Sequence, residues 1–364
     1  MSADKTRVLV VDDSALMRKL IPQILERDSS IEVIGTAMDG SFGLKKIEEL
    51  RPDVVTLDLD MPRMDGMETL RQITRNHRLP VIIVSAHSTQ GASATFKALS
   101  LGAFDFVPKP RDAAQAHMEE IAQQLVEKIK LAAQTGVPTQ NATLPDDFVV
   151  RKPLHRTKEA PSKIVGIGIS TGGPNALQFM LSQLPGDFGG AIVVVQHMPE
   201  GFTEMFARRL DQCCAIDVKE ARSGDMLIAG RALICPGNRH MRVRKMPLGE
   251  MVVLSDDDKV NGHRPSVDVL FRSVAGEFGP KSIGVLMTGM GEDGAEGLGQ
   301  IKSCGGLTIA QDEESCVVFG MPKTAIERGY AMRTVPLQAL ANLLLRQCAR
   351  PMQRDSEVQV AIES

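Results

Sequence analysis

Short runs of valine, isoleucine and leucine alternate with amphipathic stretches along most of the chain. In the first third, RVLVVDD, IEVIGTA, DVVTLDL, LPVIIVSA and AFDFVPKP read as five strands. Each is apolar at consecutive positions, the pattern of a strand buried on both faces. Helical patterns such as SALMRKLIPQILERD lie between them. This βα alternation predicts a doubly wound parallel sheet. A last helix is marked by Met118, Ile121, Leu125 and Ile129 at helical spacing.

The pattern then breaks. From about Gln134 to Ser162 the chain is rich in Pro, Thr and Asn, then basic (VVRKPLHRTKEAPS), with no sustained period. That composition predicts a linker. Lys163 opens a second series, in which KIVGIGIS, AIVVVQH, RALICPG, MVVLSD, SIGVLMTG and LTIAQD read as strands. NALQFMLSQLP and TEMFARRLDQC read as helices between some of them. The expected division is a first α/β domain over 5–124, helix end and linker over 125–162, a second α/β domain over 163–350 and a frayed tail over 351–364.

Composition narrows the classes. Lys plus Arg number 42 and Asp plus Glu 45, a net charge of −3 that suggests neither a nucleic-acid surface nor a membrane-binding face. No apolar run is long enough to cross a bilayer, and MSADKTRVLVVDD lacks the pattern of a signal peptide. The six cysteines contain no CxxC pair, so neither a disulfide framework nor a zinc site is implied. A cytoplasmic protein with reduced thiols is the expectation.

In the first domain, chemistry-bearing residues fall at strand ends. Asp12 and Asp13 end the first strand, Asp58 the third, Ser85 the fourth, and Lys109 with Pro110 the fifth. In an open α/β sheet these positions converge on one crevice. Clustered carboxylates there would suit a hard cation such as Mg²⁺, and a carboxylate beside it can accept a phosphoryl group. Any one Asp alone reads as a loop or capping residue; the ordered set does not. With DLDMPRMDG after the third strand and FVPKP at the fifth, this segment resembles the receiver domain of two-component response regulators. The resemblance implies Asp58 as phospho-acceptor and Asp12, Asp13 and Asp58 as the Mg²⁺ site. It also implies Ser85 and Lys109 as groups sensing the phosphoryl, Phe106 as the aromatic switch position, and a histidine kinase as phosphodonor.

In the second domain, GIGISTGGP places Ser170 directly after a buried strand, within a G-x-S-x-G string. Such a turn exposes a nucleophilic hydroxyl. A serine nucleophile needs a base. His197 ends the next strand, AIVVVQH, on the same sheet edge, whereas His240 and His263 are expected in loops. Glu292 and Asp293, nested in glycines after SIGVLMTG, supply the carboxylate, and position alone does not separate them. The order Ser…His…Asp differs from that of the α/β-hydrolases, so their fold is not expected. Rival readings are weaker. Gly166, Gly168 and Gly172 miss the dinucleotide spacing by one residue, and Gln196 and His197 stand where an acidic ribose ligand belongs. A helix-capping serine would leave His197 and the nested acid unexplained. Cys304 has no histidine placed for it and reads as a small buried residue.

Together, ISTGGP, VVVQHMP, CPGNRH, GHRPSVD and TGMGEDGA resemble the bacterial chemotaxis protein-glutamate methylesterases, which are also glutamine amidases. The resemblance spans receiver, linker and catalytic domain. It implies Ser170 as nucleophile, His197 as base and Asp293 as its orienting partner, on a Rossmann-like catalytic domain. Thr171 and Met290 would line the active site, with the Met290 backbone toward the oxyanion. It implies demethylation of glutamate methyl esters, and deamidation of glutamines, on methyl-accepting chemoreceptors, with no cofactor for the esterase step. The same chemistry on a partner outside chemotaxis, a DNA-binding output and a non-catalytic module are the alternatives.

Overall fold

The computed structural model describes residues 5–86, 88–109, 115–137 and 159–349. Pro110, the tail over 351–364 and the central part of the expected linker lie outside them.

The first unit is one five-stranded parallel sheet. Its strands are β1 (Thr6–Val11), β2 (Ile31–Ala37), β3 (Val54–Leu57), β4 (Val81–Ser85) and β5 (Asp105–Pro108), in the order β2-β1-β3-β4-β5. Every residue of β3, β4 and β5 is buried, as unbroken apolar runs require when helices cover both faces. The helices are α1 (Ala15–Leu25), α2 (Gly40–Leu50), α3 (Gly66–Gln72), α4 (Thr89–Ser100) and α5 (Gln115–Thr135). Ser14, Asp39, Asp65 and Ser88 start the first four, each accepting a first-turn backbone N–H on its side-chain oxygen. Helix α5 buries Ile121, Leu125, Ile129 and Ala132 against the sheet.

The second unit holds a seven-stranded sheet, parallel throughout. Along the chain come β6 (Ile164–Ile169), α6 (Gly173–Ser182), β7 (Ala191–Gln196), α7 (Thr203–Cys213), β8 (Asp217–Glu220) and β9 (Arg231–Ile234). After them run β10 (His240–Met246), β11 (Gly249–Ser255), α8 (Val267–Phe278), β12 (Ser282–Leu286), α9 (Ala295–Ser303), β13 (Leu307–Gln311), α10 (Met321–Glu327), β14 (Arg333–Val335) and α11 (Leu337–Gln347). The sheet order is β14-β13-β12-β6-β7-β9-β8. From β6 the chain builds outward through β7 on one side; later it returns to β12 on the other side of β6. The order therefore reverses at β6, and the crevice for a site opens at the carboxyl ends of β6, β7 and β12.

Two expectations are corrected. MVVLSD does not join the parallel sheet: β11 pairs antiparallel with β10 in a separate hairpin. His240 is not in a loop but begins β10, fully buried. Strands β8 (DVKE) and β14 (RTV) were not read from the sequence; both are polar edge strands without an apolar run.

The two units share a packed contact. Helix α4 lies against α6 and α7, with the Phe96 ring stacked on Phe206 at 5.3 Å and edge-on to Phe202 at 6.5 Å. Asn175 donates to the Leu99 carbonyl at 2.8 Å, and Arg209 to the Ser100 hydroxyl at 2.5 Å. A second contact is made by α5, whose buried residues share an apolar cluster with Val317 and Val318. Glu120 of α5 pairs with Lys259 at 2.9 Å.

Candidate active site and phosphoryl-acceptor site

In the first unit, Asp12 and Asp58 are buried at the ends of β1 and β3, and Asp13 is exposed beside them. One carboxylate oxygen from each lies within 4.8 Å of the other two. Lys109 reaches over from the end of β5, its Nζ 2.7 Å from Asp58 Oδ2 and 3.1 Å from Asp12 Oδ2. The Asp12 contact lacks hydrogen-bond alignment, so Oδ2 of this buried carboxylate has no hydrogen-bond partner. Burial raises the Asp58 pKa above the ordinary carboxylate range, against the pull of Lys109. The lysine pKa is raised as well: burial pulls it down, but the bond and charge of Asp58, then Asp12, outweigh that. Ser85 is buried at the end of β4. It accepts from Thr95 at 2.7 Å and donates to the Gly91 carbonyl at 3.2 Å. Phe106 is buried and faces the other unit, its ring 4.8 Å from Phe202 and 6.3 Å from Phe96. Lys128 anchors this strand, donating to the Phe106 carbonyl at 2.7 Å and pairing with Asp105.

In the second unit the parallel register brings the expected residues to one rim. Ile169 pairs with Gln196, and the His197 N–H donates to the Ile169 carbonyl at 3.1 Å, so Ser170 and His197 leave the sheet side by side. Ser170 is half-buried, and its own N–H is held by the Thr288 carbonyl at 3.0 Å, next to the end of β12. Helix α6 is capped by Gly172, not by Ser170, which removes the capping role for the serine. Gly172 has φ +75°, and a Cβ there would lie 2.5 Å from Val317, so the turn admits only glycine.

His197 Nε2 lies 2.9 Å from Asp293 Oδ2. Because an ionised carboxylate only accepts, Nε2 carries the proton and Nδ1 offers its lone pair. Nδ1 is buried and has no partner. The roles of the two ring nitrogens are thus exchanged relative to the chymotrypsin arrangement. Asp293, 1% exposed, also accepts from the Ser266 hydroxyl at 2.7 Å, the Val267 N–H at 2.7 Å and Asn261 Nδ2 at 2.9 Å. Ser266 and Val267 form the start of α8, whose positive end faces the carboxylate. Burial works against the Asp293 charge, but His197 and these donors outweigh it and hold the pKa well below the usual carboxylate range. The choice left open between Glu292 and Asp293 is resolved geometrically, since Glu292 is exposed and pairs with Arg328.

Thr171 is buried, its carbonyl accepting from the Thr288 hydroxyl at 3.0 Å. Thr288 Oγ1 in turn accepts from the Val318 N–H at 3.0 Å, which joins the serine loop to the segment packed under α5. Met290 is partly exposed beyond Gly289, whose backbone packs directly on Ser170. Among the described residues no hydrogen bond occupies the N–H groups of Thr171 and Met290.

His263 was given no role from sequence. Its ring stacks on His197, centroids 3.9 Å apart and planes within 6°. Burial, then the His197 charge, lowers its pKa to about 4, so it is neutral near pH 7. His240 is excluded as base because both its nitrogens are engaged. Nε2 is 2.9 Å from the Asp258 carbonyl, and Nδ1 accepts from the Ser266 N–H at 3.3 Å. Asn261, Ser266 and His263 share the string NGHRPSVD, but their convergence on Asp293 and His197 has no local signature. Cys304 is half-buried at the end of α9, with no hydrogen bond to a histidine among the described residues.

Comparisons with known proteins identify both domains. Residues 8–120 match the response regulator receiver domain, and residues 165–344 match the CheB methylesterase family. A protein-glutamate methylesterase/protein-glutamine glutaminase of Koribacter versatilis is 64% identical over 96% of this chain and 98% of its own. One from Anaeromyxobacter dehalogenans is 47% identical over 95% and 98%. The crystal structure of the Thermotoga maritima CheB methylesterase catalytic domain covers 51% of this chain and 99% of that one, at 43% identity and a TM-score of 0.50. A receiver joined to a methylesterase domain sets the DNA-binding and non-catalytic alternatives aside. This chain belongs to the family of protein-glutamate methylesterases/protein-glutamine glutaminases.

Proposed function

We infer that the protein removes methyl groups from glutamate γ-methyl esters on methyl-accepting chemoreceptors, and deamidates glutamines there by the same steps. The carrying observation is the His197–Asp293 pair, with Nδ1 of His197 unpartnered beside the Ser170 strand end. Ser170 Oγ attacks the ester carbonyl while Nδ1 takes its proton, and the imidazolium is stabilised by Asp293. The N–H groups of Thr171 and Met290 are the donors available to the oxyanion. As the tetrahedral species collapses, the imidazolium protonates the leaving group, and methanol departs, or ammonia from an amide. A water, deprotonated by the same imidazole, then cleaves the acyl-enzyme to release glutamate and restore Ser170. No step draws on a cofactor.

The receiver, with the domain division 5–124, 125–162 and 163–350, supplies control. The burial of Asp12 and Asp58 and the spacing of Asp12, Asp13 and Asp58 suit a hard divalent cation such as Mg²⁺. Bound there, it would neutralise charge during phosphoryl transfer from a histidine kinase to Asp58. Lys109 sits where it can hold a phosphoryl oxygen. Ser85, bonded to Thr95, would exchange that partner for another phosphoryl oxygen. Phe106 packs on Phe202, five residues beyond His197, and Glu120 of α5 is held by Lys259 near His263. The unphosphorylated receiver therefore lies over the esterase rim, in a cytoplasmic enzyme that meets the inner face of its receptors. The test is release of labelled methanol from methylated receptor. Ser170→Ala is expected to lower turnover by roughly 10⁴–10⁶; near-normal release by that variant would overturn the assignment.

A further inference from the structure

Gln196 is the last residue of β7, 2% exposed, and pairs in register with Ile169 of β6. It directly precedes His197, and its partner across the sheet, Ile169, directly precedes Ser170. Its side-chain Nε2 donates to the Ser170 carbonyl at 2.9 Å and to the His197 carbonyl at 3.2 Å. Both N–H groups of one amide are spent on the two backbone positions that carry the hydroxyl and the imidazole. The other end of the amide is left unsatisfied: Oε1 is buried with no hydrogen-bond partner. The opposite amide orientation would aim that oxygen at two carbonyl oxygens, so the orientation is fixed by chemistry.

Space has been kept for this group. A Cβ on Gly173 would lie 2.1 Å from Gln196 Oε1, so glycine at the first turn of α6 admits the amide. The oxygen then rests beside the positive end of α6, which offsets part of its lost hydration. Burying an unpaired amide oxygen is still unfavourable. An apolar side chain of the same length would fill the site without that cost, but would hold neither carbonyl.

We propose that Gln196 is a positioning residue of the esterase, clamping the Ser170 and His197 strand ends so that Oγ and Nδ1 meet in reactive geometry. The proposal rests on the Ser170–His197 reading. Misplacement of a reacting pair by about 1 Å can cost on the order of 10²-fold in rate.

The test uses the full-length, phosphodonor-activated enzyme with Gln196→Met, Gln196→Glu and Ser170→Ala variants. Gln196→Met should lower kcat roughly 10–100-fold with KM little changed, while its thermal midpoint is equal to or above wild type. Gln196→Glu adds a readout that a merely structural role would not move. Its ionised carboxylate faces two carbonyl oxygens without a donor, whereas its protonated form regains one O–H donor. Its activity relative to wild type should therefore rise as pH falls. A Gln196→Met enzyme with wild-type kcat, or a flat pH ratio for Gln196→Glu, overturns the clamp. If Gln196→Met does not fold, the pH ratio within Gln196→Glu decides. The two readings part cleanly: a dead Ser170→Ala with normal Gln196→Met sinks only the clamp, while an active Ser170→Ala sinks the serine mechanism beneath it.

Discussion

Asp293 reaches its low pKa through five donors converging from two loops and a helix end. In the proposed mechanism it keeps the His197 proton on Nε2 and the lone pair on Nδ1. Asp293→Asn would still accept from one side but would favour the wrong tautomer. Turnover should fall by roughly 10³–10⁴ with KM nearly unchanged, read from methanol release. His263 makes a separate, pH-dependent prediction. Unfolded, it binds a proton near the ordinary imidazole value of 6.5; folded, only near about 4. Between those values the unfolded state holds more protons, so this residue's share of stability is full above about pH 6.5 and is lost as pH falls toward 4. The whole effect is at most about 3 kcal/mol. His263→Phe keeps a ring against His197 but removes the proton site. Denaturant titrations at pH 7 and pH 4.5 should show a smaller acid loss in that variant than in wild type. Ser170 and His197 were legible in the sequence because each directly follows an apolar strand, whereas position left Asp293 and Glu292 unseparated. Asn261, Ser266 and His263 were not legible, since their partners are distant along the chain and no periodicity marks them.

At the scale of elements, what could be read depended on burial. Strands β3, β4, β6, β7 and β12 are buried at every residue and announce themselves as apolar runs. Polar β8 and β14 do not, because each has neighbours on one side only. Strand β11 carries an apolar run, MVVL, for a different reason: it pairs with β10 in a hairpin, which buries Val252 with Met241 and Val243 against the α8 side. The contact of α4 with α6 and α7 follows from four phenylalanines, of which each pair adds about 0.5–1.5 kcal/mol beyond its buried area. Phe96→Ala removes three of these ring contacts at once. It should raise the activity of the unphosphorylated protein about 10-fold and shrink the further gain on adding a phosphodonor. Unchanged basal activity in a stably folded Phe96→Ala protein would show that this contact does not restrain the enzyme.

For the whole molecule, the two sheets present their chemistry in the same way, at the carboxyl ends of parallel strands, and they are joined so that one site bears on the other. Phe106 follows the receiver's buried strand to the contact with Phe202, and α5 carries Glu120 to Lys259 at the esterase side. No described helix is long and apolar enough to cross a membrane. Everything in that arrangement depends on Ser170 being the atom that becomes acylated. A serine-directed phosphonate, followed by peptide mapping, tests this most directly. The expected result is one adduct per chain, on the peptide bearing Ser170, absent from Ser170→Ala and slowed sharply in His197→Ala. Full inactivation with the adduct on another residue, or equal labelling of Ser170→Ala, would contradict the account.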